Sequence, residues 1–312
     1  MSHVNAVQQE NRSMVAPMRV RERASRMKPC MVGLVLVLAC LLQGPQLFSQ
    51  RQFNESKELG VTVGTTYYLG DLNPYAHLGG RLHVGAGGFF RYNINPRISA
   101  RLHVAQGTVE AWDADSPDAW QQNRNLHFRN TISEYAGLVE LNYRNFRFGN
   151  AKDRFSAYLV SGIAIFSHMP EAQLDGNWYA LQPLGTEGQG TTWGEARGLQ
   201  PYRTAGVAIP FGCGAKLNLT ESLAFSVEWG IRKTWSDYLD DVSTTYADVR
   251  VLRSEKGDIA AELADRSLAL PDGLETRAGL QRGDPGKSDA YGFVWASLSV
   301  RVSRKPTTCT IS

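Results

Sequence analysis

Five histidines follow residue 49: His77, His83, His103, His127 and His168. No two lie four apart or frame an H-E-x-x-H motif. A zinc hydrolase needs two imidazoles on one helical face, so the sequence offers no zinc centre. Ser167-His168 sets a hydroxyl beside an imidazole. Neighbours on a strand point to opposite sides, however, and acyl transfer needs both groups at one point with a third to orient them. Gly185-Thr186-Glu187-Gly188-Gln189-Gly190 has the glycine spacing of neither a P-loop nor a dinucleotide fingerprint. Gly212-Cys213-Gly214-Ala215-Lys216 lacks the Ser or Thr that follows a P-loop lysine. Both are read as loop flexibility or close strand packing. Asp237-Tyr238-Leu239-Asp240-Asp241 packs three carboxylates into five residues. Oxygen ligands suit calcium, but the EF-hand spacing is absent, and a solvated or capping acidic cluster is the preferred reading. The chain is therefore expected to be no enzyme and to hold no metal or cofactor.

The elements that carry these residues follow a leader. Residues 1–49 contain six basic and two acidic side chains, crowded between Arg19 and Lys28, followed by an uncharged, mostly apolar run from Cys30 to Leu42. This reads as an exported signal peptide with an over-long n-region, cleaved after Ser49, translation starting at Met1, Met14 or Met18. An uncleaved anchor and a lipoprotein site at Cys40 are weaker readings, because the apolar run is short for a spanning helix and continues past Cys40. The rest of the chain carries 27 basic and 28 acidic residues, which leaves no basic surface for nucleic acid. Its two cysteines, Cys213 and Cys309, form no disulfide framework.

Beyond residue 49 the dominant pattern is alternation. Leu223, Phe225, Val227, Trp229 and Ile231 interleave with Ala224, Ser226, Glu228, Gly230 and Arg232. A strand sorts such residues to two faces; a helix would scatter them. The same sorting sets Tyr135, Val139, Leu141 and Tyr143 against Glu134, Ala136, Glu140 and Asn142. It also sets Ile98, Ala100, Leu102 and Val104 against Ser99, Arg101, His103 and Ala105. Eight such segments are expected, near residues 57–69, 80–94, 96–107, 131–146, 154–167, 202–218, 222–236 and 289–303. Their connections alternate between short and long, the last long one with a short helix over Ile259–Leu268. The fold class is all-β: an eight-stranded antiparallel up-and-down transmembrane β-barrel over 50–303, with short periplasmic turns, long extracellular loops and a periplasmic C-terminal tail over 304–312.

A soluble barrel would put the apolar faces inside. Two features favour the membrane instead. Aromatics stand at segment ends on the faces read as apolar (Tyr135, Tyr143, Tyr158, Phe166), as interfacial girdles do, and full charges occupy the opposite faces. Eight strands leave a bore that side chains fill, so Arg101, His103, Glu134, Glu140, Glu228 and Arg232 are expected to form an interior charge network.

Trp178 to Gly190, Ile209-Pro210-Phe211-Gly212, Gly230 to Thr234, Ser236 to Val242 and Tyr68 to Asn73, in these positions, resemble the PorG family of Bacteroidetes. Its members are outer-membrane β-barrels of the type IX secretion system. The likeness spans about residues 57–303. It implies a non-enzymatic component that anchors or positions the periplasmic PorK/PorN ring while cargo is exported, with other translocon components as further partners. The chain departs from outer-membrane barrels in general by continuing past its last strand as a polar tail. Cys309 in that tail, and the segment Asp237, Tyr238, Leu239, Asp240 and Asp241, are the candidate partner contacts, Cys309 through a mixed disulfide with a ring subunit. The alternatives are a small porin-like or ligand-binding outer-membrane barrel and, behind it, an outer-membrane lipid enzyme.

Overall fold

The computed structural model describes residues 55–74 and 81–302. The leader, the tail with Cys309, and His77 lie outside the described residues. Eight long strands form the wall: β1 (Ser56–Leu69), β2 (His83–Asn93), β3 (Ile98–Trp112), β4 (His127–Asn142), β5 (Phe155–Ser167), β8 (Ala205–Asn218), β9 (Leu223–Thr234) and β10 (Ala290–Arg301). A small hairpin, β6 (Pro170–Leu174) and β7 (Asn177–Ala180), precedes β8 and adds to the end of β4. Each wall strand pairs antiparallel with its neighbours, and β10 pairs with β1 from Glu58↔Arg301 to Leu69↔Ala290. That last pairing closes the cylinder and leaves no unpaired edge in the wall, as a backbone in hydrocarbon requires.

Turn chemistry matches the short connections. Between β2 and β3, Asn95 Oδ1 accepts from the Arg97 and Ile98 amides at 2.7 and 2.8 Å. Between β8 and β9, Thr220 Oγ1 accepts from the Ser222 and Leu223 amides. The β4–β5 turn passes through Gly149 at φ +73°.

Polarity is inside-out. Val84, Val61, Leu102 and Ile163 are 75, 66, 65 and 64% exposed on the outer surface, while Glu58, Glu134 and Glu140 are fully buried. A barrel in water would reverse this, because burying carboxylates while wetting branched aliphatics opposes both transfer terms. The wall is therefore membrane-spanning.

Several expected details are corrected. Tyr158 and Phe166 face the lumen, 2 and 1% exposed, and are no girdle; Tyr135 and Tyr143 do face outward, at 63 and 78%. Both faces of β5 are apolar (Tyr158, Val160 and Phe166 inward; Leu159, Ile163 and Ile165 outward), so periodicity alone could not choose between them. Both ends of the β3–β4 connection are strand: pairing runs on from Gly107↔Ile132 to Trp112↔His127, extending the hairpin by about 16 Å. At its tip, Asp118 Oδ1 caps the short helix α1 (Ala119–Arg124). The helix expected over Ile259–Leu268 spans Asp258–Ala264, and a second helix, Val249–Lys256, precedes it.

Large side chains reach the lumen where glycine leaves room. A Cβ on Gly60 would lie 2.3 Å from the Phe89 ring, and one on Gly292 would lie 2.1 Å from Tyr67.

Candidate functional site

Two buried assemblies occupy the barrel. The first fills the lumen. Alternation turns Glu58 (β1), Arg91 (β2), Arg101 (β3), Glu134 and Glu140 (β4), Lys216 (β8), and Glu228 and Arg232 (β9) inward, each at most 4% exposed. Four carboxylates thus meet four cations. Glu140 is the hub: Arg91 Nε lies 2.9 Å from its Oε1, Arg101 Nη1 3.2 Å from its Oε1, and Lys216 Nζ 2.8 Å from its Oε2. Arg91 also reaches Glu58 at 2.9 Å, and Arg101 reaches Glu228 at 2.7 Å. Nearer the long loops, Arg232 Nε donates to Glu134 at 3.1 Å. Neutral donors complete the carboxylates: Tyr158 Oη to Glu228, Tyr291 Oη to Glu134 and Ser299 Oγ to Glu58, at 2.9, 2.9 and 2.8 Å. Every carboxylate has partners, as burial demands.

All six residues expected in the charge network therefore lie in the lumen. His103, however, is a packing residue: its ring sits 6.3 Å from Phe89 and 6.0 Å from Trp295, with Glu134 4.0 Å away. Glu58, Arg91 and Lys216 were missed, although their strand parity matches that of their partners. Phe293, stacked on Trp295 at 4.5 Å, blocks more of the bore. The lumen is a plug.

The second assembly is a cap built by the long connections. Two arginines stitch it. Arg124, at the end of α1, donates twice to Asp113 at 2.7 Å and once to the Arg282 carbonyl at 2.7 Å. Arg282 Nη1 lies 3.1 Å from Glu187 Oε1, and its Nε donates to the Ala264 carbonyl at 3.2 Å. Glu187 also accepts from the Ser243 and Thr244 amides at 2.8 and 3.0 Å. The 185–190 segment is thus no flexible loop. It is an ordered turn with positive φ at Gly185, Gly188 and Gly190, holding a buried carboxylate. Arg124, Glu187 and Arg282 escape sequence reasoning because each meets partners that are distant in the chain.

The acidic segment lies inside this cap. Leu239, Asp240 and Asp241 are at most 1% exposed; Asp237 and Tyr238 are half-buried. Asp241 accepts from Tyr202 Oη at 2.7 Å and from Thr186 Oγ1. Burial pushes its carboxyl up to about 6, against the opposing pull of Arg282. Asp237 is pushed up to about 7, chiefly by burial, with Asp71 and Glu187 adding like charge. Tyr68 Oη lies 2.5 Å from Asp240 and 2.9 Å from Asp289. One phenolic proton cannot serve two carboxylates, and burial raises both carboxyls well above the usual range. Tyr68 braces the two carboxyls across the cap.

Ser167 and His168 do not form a catalytic pair. Ser167 is exposed while His168 is buried. The His168 ring contacts Asn130 and stacks on Tyr202, and burial lowers it to about 4, so it is neutral. Among the described residues no group of three His, Cys, Asp or Glu is placed to hold a metal. Cys213 is exposed on the outer wall.

A family model described as a domain of unknown function (DUF6089) matches residues 34–178. No curated protein matches the sequence. Similar solved structures include Ail, the attachment invasion locus protein of Yersinia pestis, in complex with the heparin analogue sucrose octasulfate. It is 9% identical, the match covers 80% of this chain and 99% of that one, and the TM-score is 0.37. The outer membrane protein OprG from Pseudomonas aeruginosa is 9% identical over 81 and 99% of the two chains, with a TM-score of 0.36. Neisserial surface protein A is 7% identical over 79 and 98%, with a TM-score of 0.36. Likeness at this level says nothing of function, and the architecture stands on its own strand pairing.

Proposed function

We propose that this chain is a non-conducting, non-enzymatic scaffold of the bacterial outer membrane. In this reading it serves the type IX secretion machinery by anchoring or positioning the PorK/PorN ring. The observation that carries the scaffold reading is the lumen plug: four acids and four bases interlock across the bore and fill it. What remains for such a barrel to offer is its surface. The secretion role draws on the sequence resemblance described above.

Ser56 and Arg301 both lie at the short-turn end. In an exported barrel that end faces the periplasm. The ring would therefore meet the three short turns and the tail, and Cys309 would be available there for a mixed disulfide. Burial removes Asp240 and Asp241 from direct contact, so the acidic segment would act by bracing the opposite, cell-surface end.

Affinity purification of the detergent-solubilised protein, with crosslinks mapped by residue, tests this. Ring subunits should be recovered with crosslinks in the 94–97, 143–154 and 219–222 turns and the tail. Recovery without ring subunits, or with crosslinks confined to the cap, rejects the reading. Non-reducing gels of the wild type and Cys309→Ser test the disulfide separately; identical migration excludes it.

A further inference from the structure

The outer wall is not uniform. Where β4, β5, β8 and β9 run side by side, an apolar furrow of about 910 Å³ is cut into the membrane-facing surface. Small side chains make its floor: Ala157 pairs with Ala215, and Cys213 lies beside them. Tyr143, Val227 and Trp229 stand as its walls. A furrow of this volume is in the range of small-ligand pockets, roughly 300–1,000 Å³.

At the short-turn end the furrow reaches Arg97. Arg97 also lines a second, polar pocket of about 240 Å³ with Arg144, Asn145 and Lys152. Arg97 Nε donates to Asn145 Oδ1 at 2.8 Å. Among the described residues, Arg97, Arg144 and Lys152 have no carboxylate within ion-pair distance. Asp153, the one acid lining the pocket, is already held by Arg147 at 3.3 Å. Arg97 Nη1 also donates to the Tyr143 carbonyl, which fixes the guanidinium without neutralising it. Three cations without a carboxylate partner therefore stand where the apolar wall gives way to water, at the foot of a groove shaped for hydrocarbon.

We infer that this face binds an anionic phospholipid, with an acyl chain in the furrow and its phosphate on Arg97, Arg144 and Lys152. Guanidinium groups match phosphate oxygens in geometry as well as charge. A gap along the wall would forfeit dispersion contacts, and a flexible lipid tail fills it without a shaped protein partner. A second copy of the barrel is the other occupant that small residues would admit. Two copies in one membrane, however, would set these cations against each other at the same depth, which disfavours that pairing. The inference rests on the membrane-spanning fold and is independent of the secretion role.

Native mass spectrometry of lipid-free protein refolded in non-ionic detergent tests it. The probes are phosphatidylglycerol and phosphatidylcholine of matched acyl chains. One phosphatidylglycerol should be retained, with at least about tenfold preference, the scale expected when several basic side chains meet an anionic lipid. Arg97→Gln/Arg144→Gln/Lys152→Gln, confined to exposed turn positions, should abolish the preference. Ala157→Phe should fill the furrow and remove the adduct while the heat-sensitive gel shift of a folded barrel persists. Equal retention of both lipids, an unchanged preference in the triple variant, or a dimer lost on Ala157→Phe would each overturn the inference. Should Ala157→Phe fail to fold, the triple variant decides alone.

Discussion

Glu140 is the residue on which the lumen depends most. It faces Arg91, Arg101 and Lys216 at once, so its removal strands buried cations. Glu140→Ala should destabilise the barrel by about 3–5 kcal/mol in urea unfolding from micelles; a loss below about 1 kcal/mol would show that water enters and screens the plug. In the cap, burial shifts four carboxyls upward, where a paired carboxylate is usually shifted down. Asp237 and Asp241 are raised to about 7 and 6, and Asp240 and Asp289 are also raised. An acid with a raised folded pKa favours the closed cap fully below its unfolded value of about 3.9, and that contribution is lost as pH rises through the folded value. Amide exchange over residues 235–247 should therefore be slower at pH 5 than at pH 8, once corrected for intrinsic rates. Asp237→Asn should flatten the difference, and a cap insensitive to pH would exclude protonated carboxyls there. Arg101, Glu134, Glu140, Glu228 and Arg232 were legible from alternation, because parity on a strand is a local property. The Tyr68–Asp240–Asp289 brace was not, since its members are 172 and 221 residues apart in the chain.

Strands and loops divide the work between a wall that keeps its register and a cap held by side chains. Gly60 shows how closely the wall is fitted: Gly60→Val would drive a side chain into Phe89, and the compact, heat-sensitive gel species should be lost. Normal folding of that variant would mean that the Phe89 ring can turn aside. The cap should fail independently. Arg282→Ala leaves Glu187 and Asp241 buried without their cation. Protease should then cut within residues 235–289 while the barrel's own gel shift is retained; loss of both together would make wall and cap one cooperative unit. The extended β3–β4 hairpin escaped sequence reading for a physical reason. From Gln106 the outward positions turn polar (Gln106, Thr108, Glu110) before Trp112, so the apolar alternation that marks a membrane strand breaks while the hydrogen-bonded ladder continues.

For the whole molecule, closure and the filled bore predict silence. The purified protein in planar bilayers should show no steady ionic conductance, and a reproducible single-channel current would show that the plug moves aside. The number of wall strands, their antiparallel order and the division of long from short connections are written in the chain itself. They arise from side-chain period and turn chemistry, each confined to about a dozen neighbouring residues. The inward turn of Tyr158 and Phe166, the burial of the acidic segment, the arginines that tie three loops together and the groove on the outer wall belong to the folded molecule alone. They depend on which strands lie side by side once β10 meets β1, and on polar groups paired at separations such as 76 residues, for Lys216 and Glu140, and 221, for Tyr68 and Asp289. No local periodicity encodes such distances.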